Sequence, residues 1–328
     1  LVCSESQIDP ELTLFRASDN DFTFLAADSA FAIAFFSTKP ELRKLWAMIP
    51  GGETRAIYSD GKSGSVLTLS ETDSAFVVRT FSTDSGLARS ALEFPKKHYT
   101  GARLLSNSLL LLAEAGKIRL FSIGAIEGEQ FSASIINADL ESALFSRDRF
   151  VIYADGAWRV FDRLSGRQTR SFDRKSADAL LGLDSTGRLF AAGESGEFLV
   201  FDADSGRLRW KFRSGGRILS AVEDRGRLIV SSMDNFIYSF DVERAKMIWK
   251  TRLTDRPLQT PILAGEVFFV VNQLNYGVEV HNRGNGRLLS RIQLENGTAR
   301  IIGLLPYENG LLLVSSNRAY DFASACGK

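Results

Sequence analysis

A short pattern returns about every forty residues along this 328-residue chain, and that regularity limits the fold more than any single residue does. Its clearest copies are Phe-Asp-Arg-Leu-Ser-Gly at Phe161–Gly166 and Phe-Asp-Ala-Asp-Ser-Gly at Phe201–Gly206, and a third reads Phe-Asp-Val-Glu-Arg-Ala at Phe240–Ala245. With the second residue of each copy as anchor, the series runs Ser37, Ser82, Ser122, Asp162, Asp202, Asp241, His281 and Asp321. The intervals are 45, 40, 40, 40, 39, 40 and 40. A period this steady means one supersecondary unit stacked on copies of itself, and it overrides the two-domain expectation that length alone suggests.

The sixth unit shows what is being stacked. Ile218–Val222 is a short apolar run, Arg227–Ser232 and Asn235–Asp241 alternate, and Lys246–Leu253 is a fourth segment rich in β-branched and aromatic residues. Such runs, bounded by Gly, Asp, Asn or Ser, are strand signals separated by hairpin turns. The anchor marks the third turn, where Gly86, Gly166 and Gly206 supply the positive φ that a hairpin bulge requires. A four-stranded antiparallel unit cannot bury both of its faces alone. Radial stacking solves this, so the expected fold is all-β: an eight-bladed β-propeller in a single domain spanning 1–328. The last unit supplies strands at Leu311–Ser316 and Arg318–Phe322 and then stops, while residues 1–8 precede the first complete unit, which opens at Leu12–Ala17. Residues 1–8 are therefore expected to complete the last blade and close the ring, removing open edges.

That closure brings the two cysteines together. Cys3 begins the donated strand and Cys326 follows the last third strand, places that in every other blade adjoin within one hairpin. A Cys3–Cys326 disulfide is expected, for which the loop-entropy account gives roughly 5–6 kcal/mol. A disulfide joining chain ends implies an oxidising compartment. The opening Leu1-Val2-Cys3 is compatible with a removed leader and resembles the end of a lipoprotein signal, although Val2 stands where a small residue is usual. Net charge is only +1, which argues against a general electrostatic grip on nucleic acid. No apolar run is long enough to span a bilayer, which leaves peripheral membrane association open.

Gly206-Arg-Leu-Arg-Trp210 extends the anchor pattern to Asp-x-x-x-Gly-x-x-x-Trp, and the Trp recurs at the same offset at Trp249 and, after one extra residue, at Trp46. With its preceding Phe-Leu-Val-Phe strand, this resembles the repeat of the pyrroloquinoline-quinone-type (quinoprotein-like) propellers. The resemblance implies that Trp46, Trp210 and Trp249 dock against the neighbouring blade, where an indole N–H meets a free carbonyl. It spans the chain by period but is strong in motif only over 150–255. WD-repeat propellers are the rival, yet no Gly-His…Trp-Asp pairing occurs.

The quinone enzymes of this family resemble one another in a vicinal cysteine pair and a calcium site. Here the cysteines are far apart and the chain is much shorter, so no cofactor and no quinone-dependent dehydrogenase activity are expected. The only histidines, His98 and His281, lack a partner at metal-ligand spacing, and no nucleophile elbow is present, so no metal site and no catalytic residues are assigned. His281 holds the anchor slot and is expected in a turn.

What remains is a surface. The connections between blades should emerge at one face, and there Lys211, Arg213, Arg217, Arg252 and Arg256 make a basic sector. Asp139 and Glu141, with Asp9 and Glu11, mark acidic ones, and Lys96, Lys97 and His98 stand on the second-to-third connection. The expected function is a non-catalytic protein–protein interaction scaffold, with the basic sector receiving an acidic partner. The resemblance extends to the propeller lipoproteins of the bacterial outer-membrane barrel-assembly machine, which implies a periplasmic or outer-membrane-associated subunit of an envelope assembly. A small-molecule or sugar receptor lined by Trp158 and phenylalanines is the alternative.

Overall fold

The computed structural model describes residues 2–7, 12–17, 23–28, 33–37, 43–60, 64–106, 108–123, 128–173, 178–273, 277–293, 301–307, 310–315 and 318–323. Among these, the structure is strand and turn, with one three-residue 3-10 turn at Glu194–Gly196. The strands form eight four-stranded sheets. Blade 1 is Leu12–Ala17, Thr23–Asp28, Ile33–Ser37 and Arg43–Met48; blade 2 is Glu53–Asp60, Ser65–Glu71, Ala75–Ser82 and Ala88–Pro95. Blade 3 is Tyr99–Ser106, Leu109–Glu114, Lys117–Ser122 and Gly128–Ser134; blade 4 is Ala138–Phe145, Arg149–Ala154, Ala157–Asp162 and Gln168–Asp173. Blade 5 is Ala179–Leu183, Arg188–Ala192, Glu197–Asp202 and Leu208–Arg213; blade 6 is Ile218–Asp224, Arg227–Ser232, Phe236–Asp241 and Lys246–Arg252. Blade 7 is Ile262–Ala264, Val267–Val271, Val278–Asn282 and Leu288–Ile292. Blade 8 takes Ile301–Tyr307, Gly310–Ser315 and Arg318–Ala323 from one end of the chain and Val2–Gln7 from the other. Ser4 stands opposite Asp321 and Gln7 opposite Arg318, so the amino-terminal strand is the missing rung, as expected.

The chain divides into two compact units, residues 1–129 with 298–328, and residues 130–297. Within the second, period-two alternation explains why blades need neighbours. On blade 6, Leu228, Val230, Tyr238 and Phe240 join a cluster with Phe190, Phe198 and Val200 of blade 5. The alternate residues Ile229 and Ile237 face the other way, into Phe268 and Val270 of blade 7. Val151, Trp158 and Val160 of blade 4 meet Leu189, Leu199 and Phe201 of blade 5 in the same manner. In the first unit, Leu67, Leu69, Phe76 and Val78 of blade 2 pack on Leu104, Leu110 and Leu112 of blade 3.

The repeated turn works as the sequence implies. Asp202 Oδ1 accepts the Ser205 amide and hydroxyl at 2.8 Å each, and Gly206 N donates to Asp202 O at 2.8 Å with φ +69°. Asp162, Ser165 and Gly166 repeat this arrangement. The Ser205 amide and hydroxyl hold the Asp202 carboxyl down to about 2. Pairing with the second strand corrects the last two anchors. Arg149 faces Asp162 and Arg227 faces Asp241, and the same place is taken by Asn282, opposite Val267, and by Ala323, opposite Gly310. Blade 7 therefore turns at Asn282, whose Oδ1 accepts the Gly284 and Asn285 amides, and His281 lies inside the strand. The sequence misleads here because His281 keeps the forty-residue spacing, and only strand pairing shows that the turn begins one residue later.

A second regularity is invisible in the motif. In six blades one residue of the fourth strand is skipped at the same register position: Leu45, Arg89, Thr169, Arg209, Ile248 and Leu289. Such a bulge re-aims the side chain that follows it. The following residues are Trp46, Ser90, Arg170, Trp210, Trp249 and Ser290, which include all three tryptophans of the repeat.

Candidate functional site

The re-aimed side chains reach the third turn of the next blade. Trp46 Nε1 donates to Thr83 O at 2.6 Å, and a Cβ on Gly86 would lie 2.8 Å from its ring. Trp210 Nε1 donates to Val242 O at 3.2 Å. Arg170, where the Trp is lost, substitutes with Nε donating to Asp204 O at 2.9 Å. Phe131 fills the corresponding place on blade 3, and a Cβ on Gly166 would come within 2.7 Å of it. Trp249 differs: its ring covers Gly286 and stacks on Phe268 at 5.6 Å, and its buried Nε1 finds no acceptor among the described residues.

At the same end of blades 4–7, where the first and third turns lie, each junction carries one arginine clamp. Arg149 grips the Asp204 carboxylate with Nε at 2.7 Å and Nη2 at 2.6 Å, which pushes its guanidinium pKa up. Arg188, on blade 5, bonds Asp184 Oδ2 at 2.5 Å and also Glu243 of blade 6. Arg283 of blade 7 pairs with Asp224 of blade 6. Sequence reading found none of these. Their signal was an acid two residues after the anchor, at Asp204 and Glu243, facing an Arg that opens the second strand one blade earlier.

The opposite end, where blades connect, holds the five cations of the expected basic sector. All five are exposed. Lys211 and Arg213 lie within the fourth strand of blade 5 and Arg252 ends that of blade 6, so only Arg217 and Arg256 stand in connections proper. Lys211 approaches Glu197 to 3.8 Å; Arg213, Arg217, Arg252 and Arg256 have no ion-pair partner among the described residues. The nearby acids are occupied from within. Asp234 takes the Gly215 amide at 2.8 Å and the Tyr238 hydroxyl at 2.6 Å, while burial and that same carboxylate push the Tyr238 phenol up. Asp255 accepts the Arg256 amide at 2.6 Å. Asp139 and Glu141 stand in the first strand of blade 4 rather than in a connection.

Backbone contacts stitch these connections down. Ser214 N donates to Gly196 O at 3.0 Å and Met233 N to Arg217 O at 2.8 Å. A Cβ on Gly196 would lie 2.4 Å from Gly216 O, so glycine is needed there for backbone to approach backbone. The next connection is longer. Leu253 N bonds Asn235 O, Gln273 N bonds Arg256 O, and Leu258 N bonds Val271 O, each at 2.8 Å. A cavity of about 420 Å³ opens beside Arg217, lined by Asp178, Leu181, Gly193, Ser195 and Leu219.

Glu279 and His281 are the residues the sequence hid most completely. Glu279 is 1% exposed and His281 fully buried. Burial alone would raise the Glu279 carboxyl, but His281 and the amide and hydroxyl of Thr254 bring it down to about 2. His281 Nε2 lies 3.0 Å from Glu279 Oε2 and Nδ1 lies 3.1 Å from Gly286 O. Thr254, Glu279 and His281 bring a hydroxyl, a carboxylate and an imidazole together, but with the carboxylate in the middle. No bond joins the imidazole to the hydroxyl it would have to activate.

In the first unit, Lys96 pairs with Glu71 at 2.7 Å and stands over the Phe76 ring. Trp158 is 3% exposed inside the core between blades 4 and 5, which removes it from any ligand pocket. The Cys3–Cys326 pairing, Asp9 and Glu11 lie outside the described residues. Among the described residues, no cluster of His, Cys, Asp or Glu is placed to hold a metal, and no helix is long and apolar enough to cross a membrane.

Eight four-stranded sheets, the last completed by the amino-terminal strand, define an all-β, eight-bladed β-propeller. Solved propellers align along nearly the whole chain. The C-terminal WD40 domain of Sif2 matches with a TM-score of 0.75 at 11% identity, covering 99% of this chain and 98% of that one. The computationally designed Ika8 protein matches at 0.71 and 13%, covering 97% of each. Within that class, the family model described as outer membrane protein assembly factor BamB matches residues 154–301. BamB from Moraxella catarrhalis aligns with a TM-score of 0.64 at 17% identity over 98% of this chain and 99% of that one. Over residues 154–301 the chain is similar to the PQQ-type propeller family of BamB, and along its whole length it shares the BamB fold. No curated protein sequence matches it significantly.

Proposed function

We propose that the protein is a non-catalytic, extracytoplasmic scaffold, a subunit or accessory factor of a bacterial envelope assembly whose partner presents an acidic protein surface. One observation carries this reading. At the connection end of blades 5–7, Arg213, Arg217, Arg252 and Arg256 are exposed and have no ion-pair partner among the described residues, while the acids beside them are engaged from within. Exposed, uncompensated cations on a stitched backbone suit electrostatic steering onto an acidic face. The similarity to BamB, an outer membrane protein assembly factor by its description, supports the envelope setting. In this reading the eight blades make one domain, Trp46, Trp210 and Trp249 serve as inter-blade docking residues, and a Cys3–Cys326 disulfide fastens the closure.

Charge reversal tests it. Pull-down from native membranes should recover a protein partner in stoichiometric amount with the wild type, and R213E/R217E/R256E should lose it. Undiminished capture by the triple variant rules the docking face out. A co-purified small molecule instead would favour the receptor reading, for which the cavity beside Arg217 offers the space. Labelling of both cysteines in the native protein would remove the disulfide.

A further inference from the structure

The buried pair in blade 7 breaks the repeat in a way that points at one connection. His281 stands opposite Phe268, the place held by Phe161, Phe201 and Phe240 in blades 4, 5 and 6. Glu279, two residues earlier, stands where blade 4 has Arg159, blade 5 has Leu199 and blade 6 has Tyr238. An imidazole thus replaces a repeated aromatic ring, with a carboxylate beside it, at sites with no access to water, an arrangement that is costly unless every polar atom is engaged. Here they are engaged. Glu279 Oε1 takes the Thr254 amide at 3.0 Å and also the Thr254 hydroxyl, and Arg291 Nε stands 3.5 Å away. Glu279 Oε2 meets His281, whose other nitrogen meets Gly286 O. The imidazole is thus held from both of its nitrogens. Phe268 stacks on the ring at 5.0 Å.

The recipient of all this is Thr254, at the head of the segment that carries Arg256 and Leu258. Asn272 Nδ2 adds a bond to the same hydroxyl at 3.2 Å. We propose that Glu279 and His281 form a latch that fixes the 253–258 connection and thereby positions Arg256 for docking. The latch rests on the docking face argued above, and it acts as a positioning device because neither side chain reaches the surface. Its contribution to binding is pre-organisation: the segment is already ordered when the partner arrives.

The decisive variant copies the apolar pair of blade 5. E279L/H281F copies Leu199 and Phe201 of blade 5, so it removes the latch without leaving one member of the pair buried alone, whereas E279L and H281F singly do leave one. Amide exchange and binding of a twenty-residue polyglutamate peptide at low salt are measured on the wild type, the double variant and R213E/R217E/R256E. The double variant should melt as one cooperative protein and exchange the Thr254 amide at least tenfold faster, with residues 214–217 unchanged. It should bind the peptide about three- to tenfold more weakly. Unchanged exchange at Thr254 overturns the latch. Faster exchange with undiminished peptide binding overturns its role in docking. A wild type that ignores the peptide counts against the docking face, and exchange alone then decides the latch.

Discussion

The two ends of blades 4–7 are built from the same residue types and use them oppositely. At the turn end, arginines are spent on the neighbouring blade: Arg149 on Asp204, Arg188 on Glu243 and Arg283 on Asp224. At the connection end the acids are spent instead, on amides and hydroxyls close by, and four arginines are left facing solvent. Charge count therefore says little about this molecule, whose formal net charge is only +1. What distinguishes the ends is that arginine–carboxylate pairs join neighbouring blades at the turn end, whereas at the connection end carboxylates bind amides and hydroxyls.

The largest expected effect tests the clamp side. Arg188 and Asp184 have side chains only 6% and 4% exposed. Burial works to raise the Asp184 carboxyl, but the Arg188 amide and guanidinium and the Thr186 hydroxyl leave it lowered overall. Arg188→Ala strands that carboxylate, and chemical denaturation should register a loss of about 3–5 kcal/mol. Arg213→Ala or Arg217→Ala, at the other end, should stay within about 0.5 kcal/mol. If the two kinds of substitution cost the same, the distinction between the ends fails.

Next in size is a pair of glycines at the turn end. Gly286 has φ +73°, and a Cβ there would lie 2.6 Å from the Trp249 ring. Gly226 has φ +82° with nothing within 4 Å. Both alanine variants bear the left-handed strain of about 1–2 kcal/mol, and Gly286→Ala adds overpacking of about 1–3 kcal/mol. A larger drop in melting temperature for Gly286→Ala identifies the aromatic-on-turn contact as a real constraint between blades 6 and 7. Equal drops would mean that the indole simply moves aside.

Acid titration separates the latch from the clamps. The folded Glu279 carboxyl sits at about 2, below its ordinary value of 4.5, because His281 and Thr254 outweigh its burial, with Arg291 also close by. A lowered folded value means that its stabilisation is complete above about 4.5 and is lost as pH falls through about 2. Stability measured from pH 5 down to 2 should therefore fall less steeply in E279L/H281F than in the wild type. Identical slopes would show that Glu279 contributes nothing in that window.

The fold was legible in the sequence because it is periodic. Phe161, Phe201 and Phe240 repeat every forty or so residues, and no short stretch needed to be right alone. The strand Arg227–Ser232 was read with its observed bounds, and Leu12–Ala17 likewise. The site was less legible because it lies in departures from the period. His281 was read as an anchor because it kept the spacing, and only its pairing with Phe268 shows that it is a core position. The clamps escaped because each joins residues more than fifty positions apart, such as Arg149 and Asp204, through geometry that only neighbouring blades create. The free arginines were found as a basic sector, but their freedom depends on where Asp234 and Glu279 turn, which the order of residues does not reveal.

The smallest effect concerns a turn that keeps the shape and loses the glycine. Ala245 has φ +54°, in the place held by Gly166 and Gly206 in the two preceding blades. An L-residue there bears about 1–2 kcal/mol of steric cost, partly offset because glycine loses more chain entropy on folding. Ala245→Gly should therefore stabilise the protein by about 0.5–1 kcal/mol in denaturant melts, with peptide binding at the other end of the blade unchanged. A gain confined to stability keeps the two ends independent. Altered binding would mean that strain in the clamp end is transmitted along blade 6 to the arginines that face the partner.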